Sequence, residues 1–196
     1  MKQPLQLILA SQSPQRRQLL SEAGYEFLVR APSGSAECGI CSRETPPEMV
    51  ARLARQKAAD VADQFNQATI IGCDTVAECM GTTLGKPANQ QHAREMLQLV
   101  RGRKHSVYSG LCIWQRPGNQ VNIQVEVTSL YMEPFSDAEL DEYLQSGQWE
   151  GKSGAFGLQD RTGWLKVLSG SESNVIGLPL ELLERMLSGT NGMNDD

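Results

Sequence analysis

From Leu7 to Leu20 the chain reads LILASQSPQRRQLL. An apolar run of strand length passes through a short polar turn into a helical pattern that points Leu19 and Leu20 inward. The pattern predicts a strand over residues 5–10 and a helix over residues 15–23, stopped by Gly24. The same alternation of types continues. YEFLVRA reads as a second strand and PSGSAECGICSRETPP as a long polar loop. Thr45 and Glu48 then form a Thr-x-x-Glu capping box, with prolines in the first helical turn. The helix that follows carries Met49, Val50, Leu53, Ala54, Ala58 and Val61 on one face, and Lys57 lies within it. ATIIGCDTVAECMG predicts a buried strand that ends on Asp74 and resumes past a bend, GTTLGKP a turn, and NQQHAREMLQLVRG a helix. Two strands around a Pro-Gly-Asn turn come next, then a short helix capped at Ser136 or Asp137. A glycine-rich, strand-like stretch, GKSGAFGLQDRTGWLKVLSGS, and the helix LPLELLERML complete the pattern. Strands and helices mix without strict alternation, so the expected class is α/β with a mixed sheet. Residues 1–188 are expected to form one domain and residues 189–196 a disordered tail.

Composition narrows the function. The 196 residues are 40% hydrophobic and 21% charged, enough for a sizeable core. The net charge of -5 advertises no surface for duplex nucleic acid, so any anion site must be a local pocket. No apolar run approaches the roughly 20 residues that a membrane-spanning helix needs, and the N-terminal run is too short for a signal peptide. A cytoplasmic protein is expected. Five cysteines, an odd number, fit reduced thiols better than a disulfide framework. Cys38 and Cys41 form a lone CxxC without the second ligand pair that zinc requires, and exposed loop thiols are expected there.

Four stretches could carry chemistry. Where a strand turns into a helix, the first backbone N–H groups converge on one spot and attract anions. Ser11 and Ser13 add hydroxyl donors there, Arg16 adds a charged fork that suits phosphate, and Pro14 fits the first turn. On this stretch alone, a plain Ser/Pro cap with solvated arginines is the alternative. Asp74 after IIGC could hold a divalent cation or take a proton from water, or could merely close a turn. Lys86 in LGKP offers a point charge to a polyphosphate, or is a solvated turn lysine. GAFGLQ lets backbone approach a ligand and ends on Gln159, whose amide could read a base or a phosphate; a twisted edge strand is its alternative. Together the set suits phosphoryl chemistry. Neither His92 nor His105 lies beside a candidate nucleophile, so a Ser-His-Asp arrangement is not expected. The three tryptophans read as packing.

LILASQSPQRRQLL, VARLARQKA, IIGCDTV, LGKP, GAFGLQ and NVIGLPL occur here in the order found in the Maf family, and the chain resembles that family from about Leu7 to Leu187. The resemblance implies a nucleoside triphosphate pyrophosphatase that uses Mg²⁺, or a similar ion such as Mn²⁺, and works as a homodimer. It implies a mixed twisted sheet in two lobes around a cleft, similar to inosine triphosphatases. It makes Asp74 the catalytic base and a metal ligand, with Ser11, Ser13, Arg16, Lys57, Lys86 and Gln159 on the substrate. Two departures stand out. Gln15 replaces the first arginine of the usual Ser-Pro-Arg-Arg, and Glu37 would supply, in a shifted register, an acidic metal ligand. GAFGLQ resembles the dTTP/UTP branch; the 7-methyl-GTP branch and a regulator of cell division with little turnover are the alternatives.

Overall fold

A computed structural model describes residues 5–37, 44–160 and 162–191. In chain order these form β1 (Leu7–Ala10), α1 (Pro14–Glu22), β2 (Leu28–Arg30), a 3-10 turn (Gly34–Glu37), α2 (Pro46–Ala62), β3 (Ala68–Cys79), β4 (Thr82–Leu84), α3 (Gln90–Val100), β5 (Lys104–Arg116), β6 (Gln120–Met132) and α4 (Asp137–Gln145). Two 3-10 turns (Ser153–Ala155 and Leu158–Asp160), β7 (Leu165–Ser169), α5 (Glu172–Ile176) and α6 (Leu180–Asn191) follow.

The helices begin where local chemistry dictates. Ser13 caps α1, its Oγ accepting from Arg16 N at 3.4 Å, with Pro14 in the first turn. Glu48 closes the capping box of α2 by accepting from Thr45 N at 2.9 Å. Ser136 and Glu139 do the same for α4, at 2.7 and 3.2 Å.

The strands form one seven-stranded sheet in the order β2-β1-β3-β5-β6-β7, with β4 paired to the far end of β3. β1 runs parallel to β2 and β3, and the other pairings are antiparallel, so the sheet is mixed as expected. β3 and β5 pair without interruption from Ala68↔Arg116 to Glu78↔Ser106. The expected bend at Asp74 is therefore absent: Asp74 sits in mid-strand, opposite Gly110. Two other expectations shift. GTTLGKP contributes the short strand β4 before its turn, and GKSGAFGLQD is two 3-10 turns rather than strand, which leaves only Leu165–Ser169 as β7.

Side-chain alternation along β3 divides the core. Ala68 and Ile70 face α2, where they pack with Ala54, Ala58 and Val61. Ile71 and Cys73 face the other way, against Leu20 of α1 and Leu182, Leu183 and Met186 of α6. Past Thr75 a third cluster begins. There Ala77 joins Met96 and Leu97 of α3, Leu140 and Leu144 of α4, and Leu130 and Met132 of β6. Trp149 belongs to this cluster, and Trp164 stacks on Phe135 at 4.3 Å, so both pack. β3 is thus shared by two cored halves, and Asp74 and Thr75 lie where one core stops and the next starts.

Candidate active site

Alternation and close packing place the central pair. Asp74 lies on the α2 face of β3, two and four residues beyond Gly72 and Ile70. α2 can reach it because two glycines leave room. A Cβ on Gly72 would stand 2.2 Å from Ala54 O, and a Cβ on Gly110 would stand 2.1 Å from Val50 O. The helix backbone therefore rests directly on the sheet. Lys57 of α2 then meets Asp74, Nζ to Oδ1 at 2.7 Å, with side chains 8% and 14% exposed. A lysine at this depth needs such a partner.

Thr75, the next residue, points to the opposite face and meets α1. Arg16 is held there on three sides. Its Nε donates to Gly177 O at 2.8 Å, one terminal nitrogen donates to Thr75 Oγ1 at 3.1 Å, and the other donates to Ser11 Oγ at 3.4 Å. Thr75 Oγ1 lies 2.8 Å from Ser109 Oγ, and Cys73 Sγ donates to Gly177 O at 3.3 Å. The guanidinium is thus fixed in one orientation before any ligand arrives.

These residues open on a cleft of about 360 Å³ at the junction of the two cores. Of the residues singled out from the sequence, Ser13, Arg16, Lys57, Asp74, Lys86 and Gln159 line it. Ser11 does not: it is 4% exposed and stands behind Arg16 and Ser13, also accepting from Ser13 N at 3.1 Å. Glu37 ends the 3-10 turn Gly34–Glu37, and its side chain lies outside the described structure. Cys38 and Cys41 also lie outside the described residues. Cys73, Cys79 and Cys112 are free and buried, and burial pushes each thiol up, Cys112 to about 12. His92 sits in the first turn of α3, where its Nδ1 accepts from Ala88 N. His105 is buried edge-on against Phe156.

Sequence reasoning missed Glu150, Lys152 and Ser153 as walls of the cleft, and gave no individual role to Phe156 within GAFGLQ or to Val175–Gly177 within NVIGLPL. α5 is too short to show a helical period, and nothing in its sequence marks Gly177 O as the anchor of Arg16.

The donor set is chemically specific. Arg16, Lys57, Lys86 and Lys152 line the cleft beside the carboxylates of Asp74 and Glu150, four cations to two anions in a chain that is negative overall, so the cleft is a local anion site. Among the described residues no group of three His, Cys, Asp or Glu could cage a metal ion. The carboxylates of Asp74 and Glu150 on the cleft fit a magnesium-like ion instead, because such ions bind one or two carboxylates and complete their shell with phosphate oxygens and water. No helix among the described residues is long and apolar enough to cross a membrane.

The chain is also similar to known proteins. The chain is 55% identical over 185 residues to a dTTP/UTP pyrophosphatase of Rhodopirellula baltica, covering 94% of this chain and 82% of that one. It is 36% identical over 184 residues to a dTTP/UTP pyrophosphatase of Dictyoglomus thermophilum, covering 93% and 95%. Among solved structures, a HAM1 protein from Coxiella burnetii superposes with a TM-score of 0.53 at 15% identity, over 95% of this chain and all of the other, which places the fold. The Maf-like protein family model matches residues 6–190, and with these relatives it establishes that the chain belongs to the Maf-like family.

Proposed function

We propose that this protein hydrolyses dTTP and UTP to the nucleoside monophosphate and pyrophosphate. The observation that carries the reading is the Asp74–Lys57 pair, set in mid-strand on a cleft that also carries Ser13, Arg16, Lys86 and Lys152, side chains suited to bind phosphate. Membership of a family whose relatives are named for this activity supports the choice of bases.

Ser13, the N-terminus of α1, the fixed guanidinium of Arg16 and Lys86 would bind the triphosphate in the cleft. Ser11 would act from behind, by holding Arg16. Lys57 occupies Asp74 Oδ1, which leaves Oδ2 to orient a water and accept its proton. That water attacks the α-phosphorus and pyrophosphate departs, its charge met by Arg16 and the lysines. Gln159, exposed on the rim, is placed to read the base or the attacking water. A bound Mg²⁺ or Mn²⁺ would be held by Asp74 and Glu150 on the cleft, with Glu37 as the further ligand that the family resemblance implies, and would supply charge neutralisation on the phosphates. A cytoplasmic homodimer of one domain, with residues 189–196 as its tail, belongs to the same proposal; light scattering on the purified protein tests the oligomeric state.

The deciding experiment offers dTTP, UTP, CTP, 7-methyl-GTP, ITP and the common triphosphates with Mg²⁺, and separates the products by ion exchange. Monophosphate and pyrophosphate are expected from dTTP and UTP, and Asp74→Asn should lower turnover by about 10²–10⁴-fold with its melting curve still cooperative. Release mainly from 7-methyl-GTP would overturn the choice of base. An active Asp74→Asn variant would overturn the role of Asp74.

A further inference from the structure

The loop over residues 152–160 forms one wall of the cleft, through Lys152, Ser153, Phe156, Gly157 and Gln159. It also ties the other walls together. Ser153 Oγ donates to Thr75 O at 2.8 Å, next to Asp74. Gly154 N donates to Gly85 O at 2.9 Å, next to Lys86. Where this loop lies therefore sets the positions of Gln159 and of the turn that carries Lys86, relative to the Asp74 strand.

The loop does not adopt this course freely. Gly154 has φ +75°, where a Cβ would stand 2.7 Å from the Phe156 ring and 3.1 Å from Ala77. Ala155, fully buried, has φ +66° and pays a steric penalty that glycine would not. Something must hold that conformation. Asp160 is the clearest candidate. Its side chain is 4% exposed and accepts from three directions. Lys152 at the start of the loop pairs with Oδ1, Gly157 N in the middle donates to Oδ2 at 2.8 Å, and Tyr143 OH of α4 donates to Oδ2 at 2.7 Å. The same tyrosine oxygen lies 3.1 Å from Ala155 O, so one hydroxyl bridges the strained residue and the acid. Burial, with the Asp160 carboxylate beside it, pushes the Tyr143 phenol far up, so the hydroxyl remains a donor. α4 is itself anchored by Leu140, Tyr143 and Leu144 in the core, which makes it a rigid post.

We propose that Tyr143 and Asp160 are positioning residues: from outside the reacting groups they lock the strained turn at Ala155, and so fix Gln159 and Lys86 at the cleft. Its activity arm rests on the pyrophosphatase reading above, but its structural arm does not. The test is Tyr143→Phe, which keeps the ring and its packing and removes only the hydroxyl. Amide hydrogen exchange followed peptide by peptide should rise over residues 153–160 and stay unchanged in β3 and β5. On dTTP with Mg²⁺, kcat/KM should fall about tenfold, as for the loss of one well-placed hydrogen bond.

Adding Ala155→Gly to that variant should restore most of kcat/KM, because glycine takes the positive φ without the clamp. A purely structural role predicts a lower melting temperature with no such rescue. Exchange equal to the parent's over residues 153–160 overturns the proposal whatever the activity. So does raised exchange with kcat/KM unchanged, and so does a loss that Ala155→Gly leaves uncorrected. If the parent protein hydrolyses no nucleotide while exchange rises as expected, the clamp stands as the lock on the loop, and both the functional reading and the activity half of this proposal fall.

Discussion

At the scale of single residues, the candidate site rests on which face of β3 a side chain occupies. Asp74 and Thr75 are neighbours in sequence, yet one meets α2 and the other α1. A shift of one residue in register would exchange them and bury threonine against Lys57. Lys57 is the residue whose removal separates charge from shape. Lys57→Met preserves length and packing but leaves Asp74 without its ammonium and the cleft without one of its phosphate donors. The loss in kcat/KM on dTTP should be about 10²–10³-fold, the usual range for deleting one preorganised electrostatic group. Steady-state kinetics beside Lys57→Arg checks it. Arginine keeps the charge but not the compact ammonium, so it should recover only part of the rate. A Lys57→Met enzyme within a fewfold of the parent would mean that the pair is structural.

At the scale of elements, what made the site is the contact of α2 with the sheet. Gly72 of β3, paired with Cys112, and Gly110 of β5, paired with Asp74, both lie under α2, and a methyl group on either would stand within 2.2 Å of helix backbone. Backbone cannot turn aside as a side chain can. Gly110→Ala should therefore lift the N-terminal half of α2, destabilise the fold by about 1–3 kcal/mol or more, and loosen the Lys57–Asp74 contact, so that activity falls further than stability alone explains. Urea denaturation and kcat measured well below the melting temperature check both halves. Such a contact shows how far the sequence could be read. The long helices announced themselves through caps and period, β1 through its apolar run, and β5 and β6 through partial alternation around a Pro-Gly-Asn turn. Asp74 looked like a strand end because aspartate is rare inside strands, whereas the continuous ladder to β5 overrides that preference. The strand-like look of GAFGLQD failed for a related reason. Its course is set by Asp160 and by contacts to β3 and the turn before Lys86, which are distant in sequence. Ser13, Arg16, Lys86 and Gln159 were legible because their residue types suit phosphate, and all four line the cleft. Thr75, Gly177 and Asp160 were not, since Thr75 meets Arg16 through strand register and Gly177 meets it through a backbone carbonyl, while Asp160 acts through a tyrosine of α4.

At the scale of the whole molecule, two cored halves share one sheet, and the acid stability of one of them hangs on a histidine. His105 is 4% exposed, packs edge-on against Phe156 at 5.1 Å, and has a ring nitrogen near Arg103 O at 3.3 Å, while Nε2 finds no partner among the described residues. Burial holds its pKa below the ordinary histidine value; the Arg103 carbonyl and the Glu78 carboxylate oppose this without reversing it. The sign follows. The unfolded chain takes up a proton at His105 at a higher pH than the native protein does. Stability from this group is therefore complete above about pH 6.5 and is lost as pH falls below it, by at most about 1.4 kcal/mol per pH unit. A second loss begins near pH 4.5 and below. There Glu48 and Glu139, lowered by their capping hydrogen bonds, Asp60 by Ser33, Asp137 by Arg101 and Glu181 by Ser171 must all take up protons. Melting temperature against pH should thus fall in two stages. His105→Leu should erase the first stage and leave the second, since leucine fills the apolar site without an unpaired nitrogen. If the decline between pH 6.5 and 5 persists unchanged in His105→Leu, the protonation that weakens the fold lies elsewhere, and the core around Phe156 is indifferent to acid.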